Sequence, residues 1–158
     1  MVSVYRLDPH DAKMGVLTPF LAQRIERYAA EYQPEWVPAE YADRIMAKLW
    51  AAAPFVCALG IVDPDSAKLL GHAVAELSMH HSKKCVEVTQ LQADQNVGDA
   101  RFQALAHILG WAKELGIAEV YVDSHRDGKE LEAKLGFKRM RTVHRWVPTV
   151  EPSAPPER

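Results

Sequence analysis

Gln95-Asn96-Val97-Gly98-Asp99-Ala100 decides the reading of this chain, because it follows an alternating apolar run and opens an amphipathic helix. The first backbone N–H groups of such a helix have no intrahelical acceptor. Gly98 carries no Cβ to block a close approach, Ala100 keeps the next contact small, and the positive end of the helix dipole attracts an anion. The segment reads as a phosphate cradle. Arg101 stands where a charge-assisted hydrogen bond can be added, although an exposed helix arginine needs no ligand to explain it. A plain strand-to-helix turn that uses glycine for its backbone satisfies the same six residues.

The pattern continues on both sides. Phe102, Leu105, Ile108, Leu109, Ala112 and Leu115 recur at helical spacing, and Gly116 suits the position just past a helix end. Ile117 to Val122 reads as a short buried strand, followed by a charged helix-like stretch from Arg126 to Leu135 and then Gly136-Phe137. Toward the N-terminus, Val2 to Leu7 alternates as a first strand and stops at Asp8-Pro9-His10-Asp11. Leu17, Phe20, Leu21, Ile25, Tyr28, Ala29 and Tyr32 form a helical stripe broken at Pro34. Pro38 starts a second helix with Tyr41, Ile45, Leu49 and Ala52 on one face, ended by Pro54. Phe55 to Val62, Leu69 to Ser78 and Lys84 to Gln92 read as strands, the first two joined by Asp63-Pro64-Asp65-Ser66. Phe137 to Val147 reads as a last strand. Residues 1–148 then make one domain, and the Pro/Ser/Glu-rich segment 149–158 a disordered tail. No internal repeat is visible.

The resulting order, β-α-α-β-β-β-α-β-α-β, defines an α/β (α+β) fold. Gln95-x-x-Gly98-x-Ala100 resembles the acyl-CoA pyrophosphate loop of the GCN5-related N-acetyltransferases, Gln/Arg-x-x-Gly-x-Gly/Ala. Leu131-Glu132-Ala133-Lys134-Leu135-Gly136-Phe137 resembles the Tyr-x-x-x-Leu-Gly-Phe signature near the end of the same family. Two motifs in the family's order, covering the C-terminal half, make the chain similar to a divergent member. The resemblance implies a mixed, mostly antiparallel central sheet of about six strands flanked by helices, split between its fourth and fifth strands. It further implies acetyl-CoA, or another acyl-CoA, as co-substrate and acetyl transfer to a small-molecule or peptide amine. Related proteins often pair, so a homodimer belongs to the same expectation.

Site roles follow from that likeness. Gln95, Asn96, Val97, Gly98, Asp99, Ala100 and Arg101 would hold the pyrophosphate, and backbone N–H groups within Val88-Thr89-Gln90-Leu91 would polarise the thioester carbonyl. The family's tyrosine acid falls at Leu131, which has no proton to give, so Ser124 or His125 would have to protonate the leaving thiolate. Glu76 and Glu87 are carboxylates inside apolar strands and are the base candidates; outward-facing strand residues would look the same. Leu70, His72, Val74, Glu76 and Ser78 are expected on one face, which favours Glu76 slightly. Asp99 either repels pyrophosphate or caps the helix, and the cap is favoured. Tyr28, Tyr32, Trp36 and Tyr41 line an acceptor pocket or belong to the core. The alternative function is a protein of this fold that binds CoA, or serves as a structural or interaction module, without efficient catalysis.

Composition bounds the rest. At 158 residues and 48% apolar the chain fills one core, and a net charge of −2 argues against a nucleic-acid partner. No apolar run reaches the about 20 residues of a membrane helix, and no signal-peptide pattern opens the chain, so a cytoplasmic protein is expected. Cys57 and Cys85 lie in strands as small hydrophobes, and His80-His81 lacks the spacing of a zinc site, so no metal is expected.

Overall fold

The computed structural model describes residues 1–123 and 129–138. Five strands form one sheet in chain order: β1 (Ser3–Arg6), β2 (Val56–Asp63), β3 (Lys68–His80), β4 (Lys83–Ala93) and β5 (Val120–Val122). The first four run antiparallel, and β4 and β5 run parallel. A parallel pair needs a crossover, which α3 (Ala100–Glu114) supplies. The helices α1 (Thr18–Tyr32) and α2 (Pro38–Trp50) separate β1 from β2, and α4 (Lys129–Leu135) follows β5. This matches the expected mixed fold. The expected sixth strand begins at Phe137-Lys138, which are irregular, and its remainder lies outside the described residues, as do the tail and Arg126 to Gly128.

Alternation along the strands sends side chains into two cores. On one face, Leu21, Ile25, Ile45 and Leu49 of α1 and α2 pack on Val56, Ala58 and Val74. On the other, Leu105, Ile108 and Trp111 of α3 pack on Cys57, Leu59, Ala73, Val86 and Val88. Small residues let the layers close. A Cβ on Gly71 would meet the Gln92 carbonyl oxygen at 2.5 Å, so the β3–β4 approach itself requires glycine there. Helix ends follow local rules: Pro19 and Pro38 occupy first-turn positions, and α3 ends with Gly116 at φ 72°. There Gly116 N–H donates to the Lys113 carbonyl and Ile117 N–H to that of Ala112, which closes the last turn.

Several sequence expectations shift. Phe20 is 55% exposed, because at 100° per residue it lies about a third of a turn from the centre of the buried stripe. Leu115 is likewise exposed beyond the end of α3, and Ala52 lies outside α2. A 3₁₀ turn, Gly15–Leu17, precedes α1, and the strand expected from Ile117 is ordered as strand only from Val120. Leu70 does not share the face of His72, Val74 and Glu76. A register shift pairs Ile61 with Gly71 but Val62 with Leu69, so Leu70 is an extra residue that turns toward the α3 side while Leu69 packs under α1.

Leu105 is wholly buried between α3 and the sheet. Leu105→Ala is expected to lower the unfolding free energy by about 2–5 kcal/mol, read from the urea midpoint at unchanged m-value.

Candidate active site

The glycine loop leaves β4 under restraint from α1. Arg24 holds Asp94 through both carboxylate oxygens, at 2.9–3.1 Å, and donates to the Leu69 carbonyl at 2.9 Å. Asp94 N–H donates to the Leu70 carbonyl, and Val97 is buried against the α3 core. With the loop anchored, Gly98 sits at φ 58°, and a Cβ built on it meets nothing within 4 Å. The glycine therefore answers a backbone demand and also leaves open space over the turn. Ala100 N–H reaches the Val97 carbonyl and Phe102 N–H that of Asp99. The N–H groups of Gly98, Asp99 and Arg101 have no acceptor among the described residues. Those orphan donors and the open space fit a pyrophosphate.

Asp99 does not act as the expected side-chain cap. It occupies the cap position without a capping bond, and its carboxylate accepts from Lys134 Nζ of α4 at 2.6 Å. The outcome is electrostatic: the negative charge beside the orphan donors is matched by a cation, which also lies 4.4 Å from the Phe102 ring centroid. Arg101 is ion-paired with Glu130 of α4 and stacks over the same ring at 4.8 Å. Leu131 packs partly buried against the α3-side core. Ser124 and His125 lie outside the described residues.

The stretch expected to face a thioester contains a β-bulge. Val74 pairs with Gln90 and Ala75 with Val88, which leaves Thr89 with no opposite residue on β3. On the other edge, β4 pairs with β5 from Val86 opposite Val120 as far as Val88 opposite Val122. Beyond that point β4 continues to Ala93 with an unpaired edge among the described residues. Thr89 and Gln90 both turn their side chains toward α1 and α2. Tyr41 Oη donates to Thr89 Oγ1 at 2.7 Å, and Thr89 Oγ1 donates to the Val74 carbonyl at 3.3 Å. Burial pushes the Tyr41 hydroxyl pKa well up, so it stays a neutral donor. Tyr28 and Tyr41 are buried, and Trp36 packs on the same core, 4.3 Å from the Tyr41 ring. The aromatic set is chiefly core.

Glu76 and Glu87 stand opposite one another on β3 and β4, and Tyr121 of β5 is next in the row. Facing carboxylates repel. Glu76 is buried and relieved by Lys48 Nζ at 2.6 Å and by Arg44 at 3.8 Å, whereas partly exposed Glu87 has no ion-pair partner among the described residues. The sequence reading missed Arg24, Gln33, Lys48 and Lys134. Their signal is faint: each is a polar residue beside an apolar helical stripe, where a solvated residue is the common case.

The arrangement is the fold of the GCN5-related N-acetyltransferases. No protein-family model matches the chain, and no curated protein matches its sequence. Among solved structures it is similar to AAC(6')-Iy bound to the bisubstrate analogue CoA-S-monomethyl-acetylneamine, at TM-score 0.68 and 11% identity over 95% of this chain and 99% of that one. It is similar to a predicted acetyltransferase with acetyl-CoA from Clostridium acetobutylicum, at TM-score 0.69 and 13% identity over 93% and 96% of the two chains. Glucosamine-6-phosphate N-acetyltransferase from Arabidopsis thaliana aligns at TM-score 0.65 and 14% identity over 93% and 98%. At these identities the likeness is one of fold.

Beneath the bulge, His72 is fully buried, and desolvation lowers its pKa from 6.5 to about 4. The unfolded chain therefore binds a proton that the native chain refuses between those values, and stability falls as pH drops from 6.5 toward 4. At about 1.4 kcal/mol per unit the loss from this group is about 3 kcal/mol. Urea melts between pH 7 and pH 4 are expected to show a steeper decline for the parent than for His72→Leu, which removes the group.

Proposed function

We propose that the chain is an acetyl-CoA-dependent N-acetyltransferase acting on a small-molecule or peptide amine. One observation carries the reading: the orphan N–H groups at the α3 N-terminus lie just past a strand that leaves its parallel neighbour at Val88 and bulges at Thr89. The CoA-analogue and acetyl-CoA complexes of two structural neighbours support the co-substrate, and the neamine analogue and glucosamine-6-phosphate in two of their names support an amine acceptor.

In this reading the N–H groups of Gly98, Asp99 and Arg101 bind pyrophosphate, with Gln95, Asn96, Val97 and Ala100 shaping the loop. Arg101 exchanges Glu130 for a phosphate oxygen, and Lys134 keeps Asp99 neutralised. Backbone N–H groups of Val88, Thr89 and Gln90 serve the thioester carbonyl oxygen. Glu87 is the better base, since its carboxylate is not committed to a cation among the described residues, whereas Glu76, opposite it on β3, is held in a half-buried pair with Lys48. The amine nitrogen bonds to the acetyl carbon, its proton passes to Glu87, the C–S bond breaks, and the thiolate takes a proton from Ser124, His125 or water. The product is an amide plus free CoA. A cytoplasmic location and pairing of two copies belong to the same reading; among the described residues no helix is long and apolar enough to cross a membrane.

Calorimetry with acetyl-CoA and a free-thiol assay over an amine panel test this. Gly98→Glu is expected to abolish acetyl-CoA binding, because it adds bulk and negative charge over the orphan donors. Equal affinity of folded Gly98→Glu and parent would place the cofactor elsewhere.

Leu131 favours a second reading, a CoA-binding protein without efficient transfer. Acid catalysis contributes about 10²–10⁴-fold, so Leu131→Tyr is expected to raise a slow parental rate where the pocket admits the ring. Retained acetyl-CoA binding with no thiol release by parent or variant selects the second reading. A fast parent indifferent to Leu131→Tyr shows that the acid lies elsewhere.

A further inference from the structure

We propose that Gln33 is a positioning residue for acetyl transfer, holding the Thr89 carbonyl so that the backbone of the β4 bulge faces the thioester in a fixed direction. The inference rests on the acetyltransferase reading and adds to it a residue far from the loop motif.

The bulge leaves Thr89 with no opposite residue on β3, and its half-buried carbonyl accepts from a side chain. Gln33 supplies it, donating from Nε2 to the Thr89 carbonyl at 2.7 Å. The orientation of that amide is set from behind. Gln90 Nε2 donates to Gln33 Oε1 and to the Ile25 carbonyl, each at 3.1 Å, and His72 Nε2 donates to Gln90 Oε1 at 2.7 Å. Reversing either amide would oppose like groups at two contacts, so the chain His72, Gln90, Gln33, Thr89 has one polarity. His72, Gln90 and Gln33 are 0%, 1% and 8% exposed, where water cannot replace a lost partner. Gln33 also closes the end of α1, its N–H donating to the Ala29 carbonyl, which ties the helix terminus to the bulge.

The consequence follows from peptide planarity. The Thr89 carbonyl and the Gln90 N–H belong to one rigid unit, so fixing the first aims the second. An oxyanion donor works through preorganisation, and Gln33 is the group that supplies it here.

The test uses [1-¹³C]acetyl-CoA as probe, with the infrared carbonyl band of the bound thioester, its dissociation constant, and kcat with the fastest amine of the panel. In the parent the band is expected below its position in buffer. Gln33→Met keeps chain length but removes both amide bonds; it is expected to return the band toward its free position and lower kcat at least about tenfold, short of the about 10²–10³ that loss of a donor itself costs. Acetyl-CoA affinity should stay within about twofold. His72→Leu, two links away, should move band and kcat in the same direction by less. An unshifted band response with unchanged kcat in folded Gln33→Met overturns the positioning role while leaving the acetyltransferase reading intact, and so does a change in KM alone. Loss of folding in both variants marks the amides as scaffold and overturns it too. A parent that does not bind acetyl-CoA overturns the reading, and the proposal with it.

Discussion

Thr89 has no partner across β3, and most of what distinguishes this molecule depends on that one extra residue. From Val86 to Val88, β4 is an ordinary central strand, paired on both edges and burying Val86 and Val88 under α3. After the bulge, consecutive side chains, Thr89 and Gln90, point to the α1–α2 side, and the partnership with β5 has ended. An inserted residue sharpens the local twist, which is a physical reason for two parallel strands to part. Among the described residues, the bulge thus directly follows the last β4–β5 pair.

That feature places polar groups in a hydrophobic layer, and the layer answers with polar groups of its own. Tyr41, Gln33, Gln90 and His72 satisfy one another and the displaced backbone, although the surrounding core is Leu21, Ile25, Ile45 and Val74. Replacing one member leaves its neighbour unpaired at a cost of about 1–3 kcal/mol, so the network specifies this packing of α1 over any sliding alternative. Within this network, His72 Nδ1 has no partner among the described residues, as a neutral ring whose single proton sits on Nε2 allows.

The α3 N-terminus shows a different economy. Its ion pairs, Asp99 with Lys134 and Arg101 with Glu130, are largely exposed and contribute little to stability. They matter through position. A helix of seven residues such as α4 does not persist by itself, and these pairs with Leu131 and Leu135 on the α3-side core give it a fixed seat beside the loop. Glu130 covers the arginine an anion would want, whereas Lys134 removes the charge an anion would avoid.

Short-range physics was legible in the chain. Pro38 started a helix, Gly116 ended one, Gly98 marked the positive-φ turn, and the order of strands and helices as far as α4 followed from periodicity, with the family likeness of two motifs adding the expected sheet. Each of these depends on residues within a turn or a strand of one another. What only the tertiary structure decided spans far more of the chain. Asp99 found Lys134 instead of its own helix, Glu76 found Lys48, Gln90 found Gln33 and Ile25, and Leu70 changed faces because β2 and β3 slipped by one residue. Hydrophobic pattern tells a residue which layer to seek. It does not say which distant polar group will be waiting there, because that choice is made by register and helix docking, and a one-residue shift in either reassigns every partner.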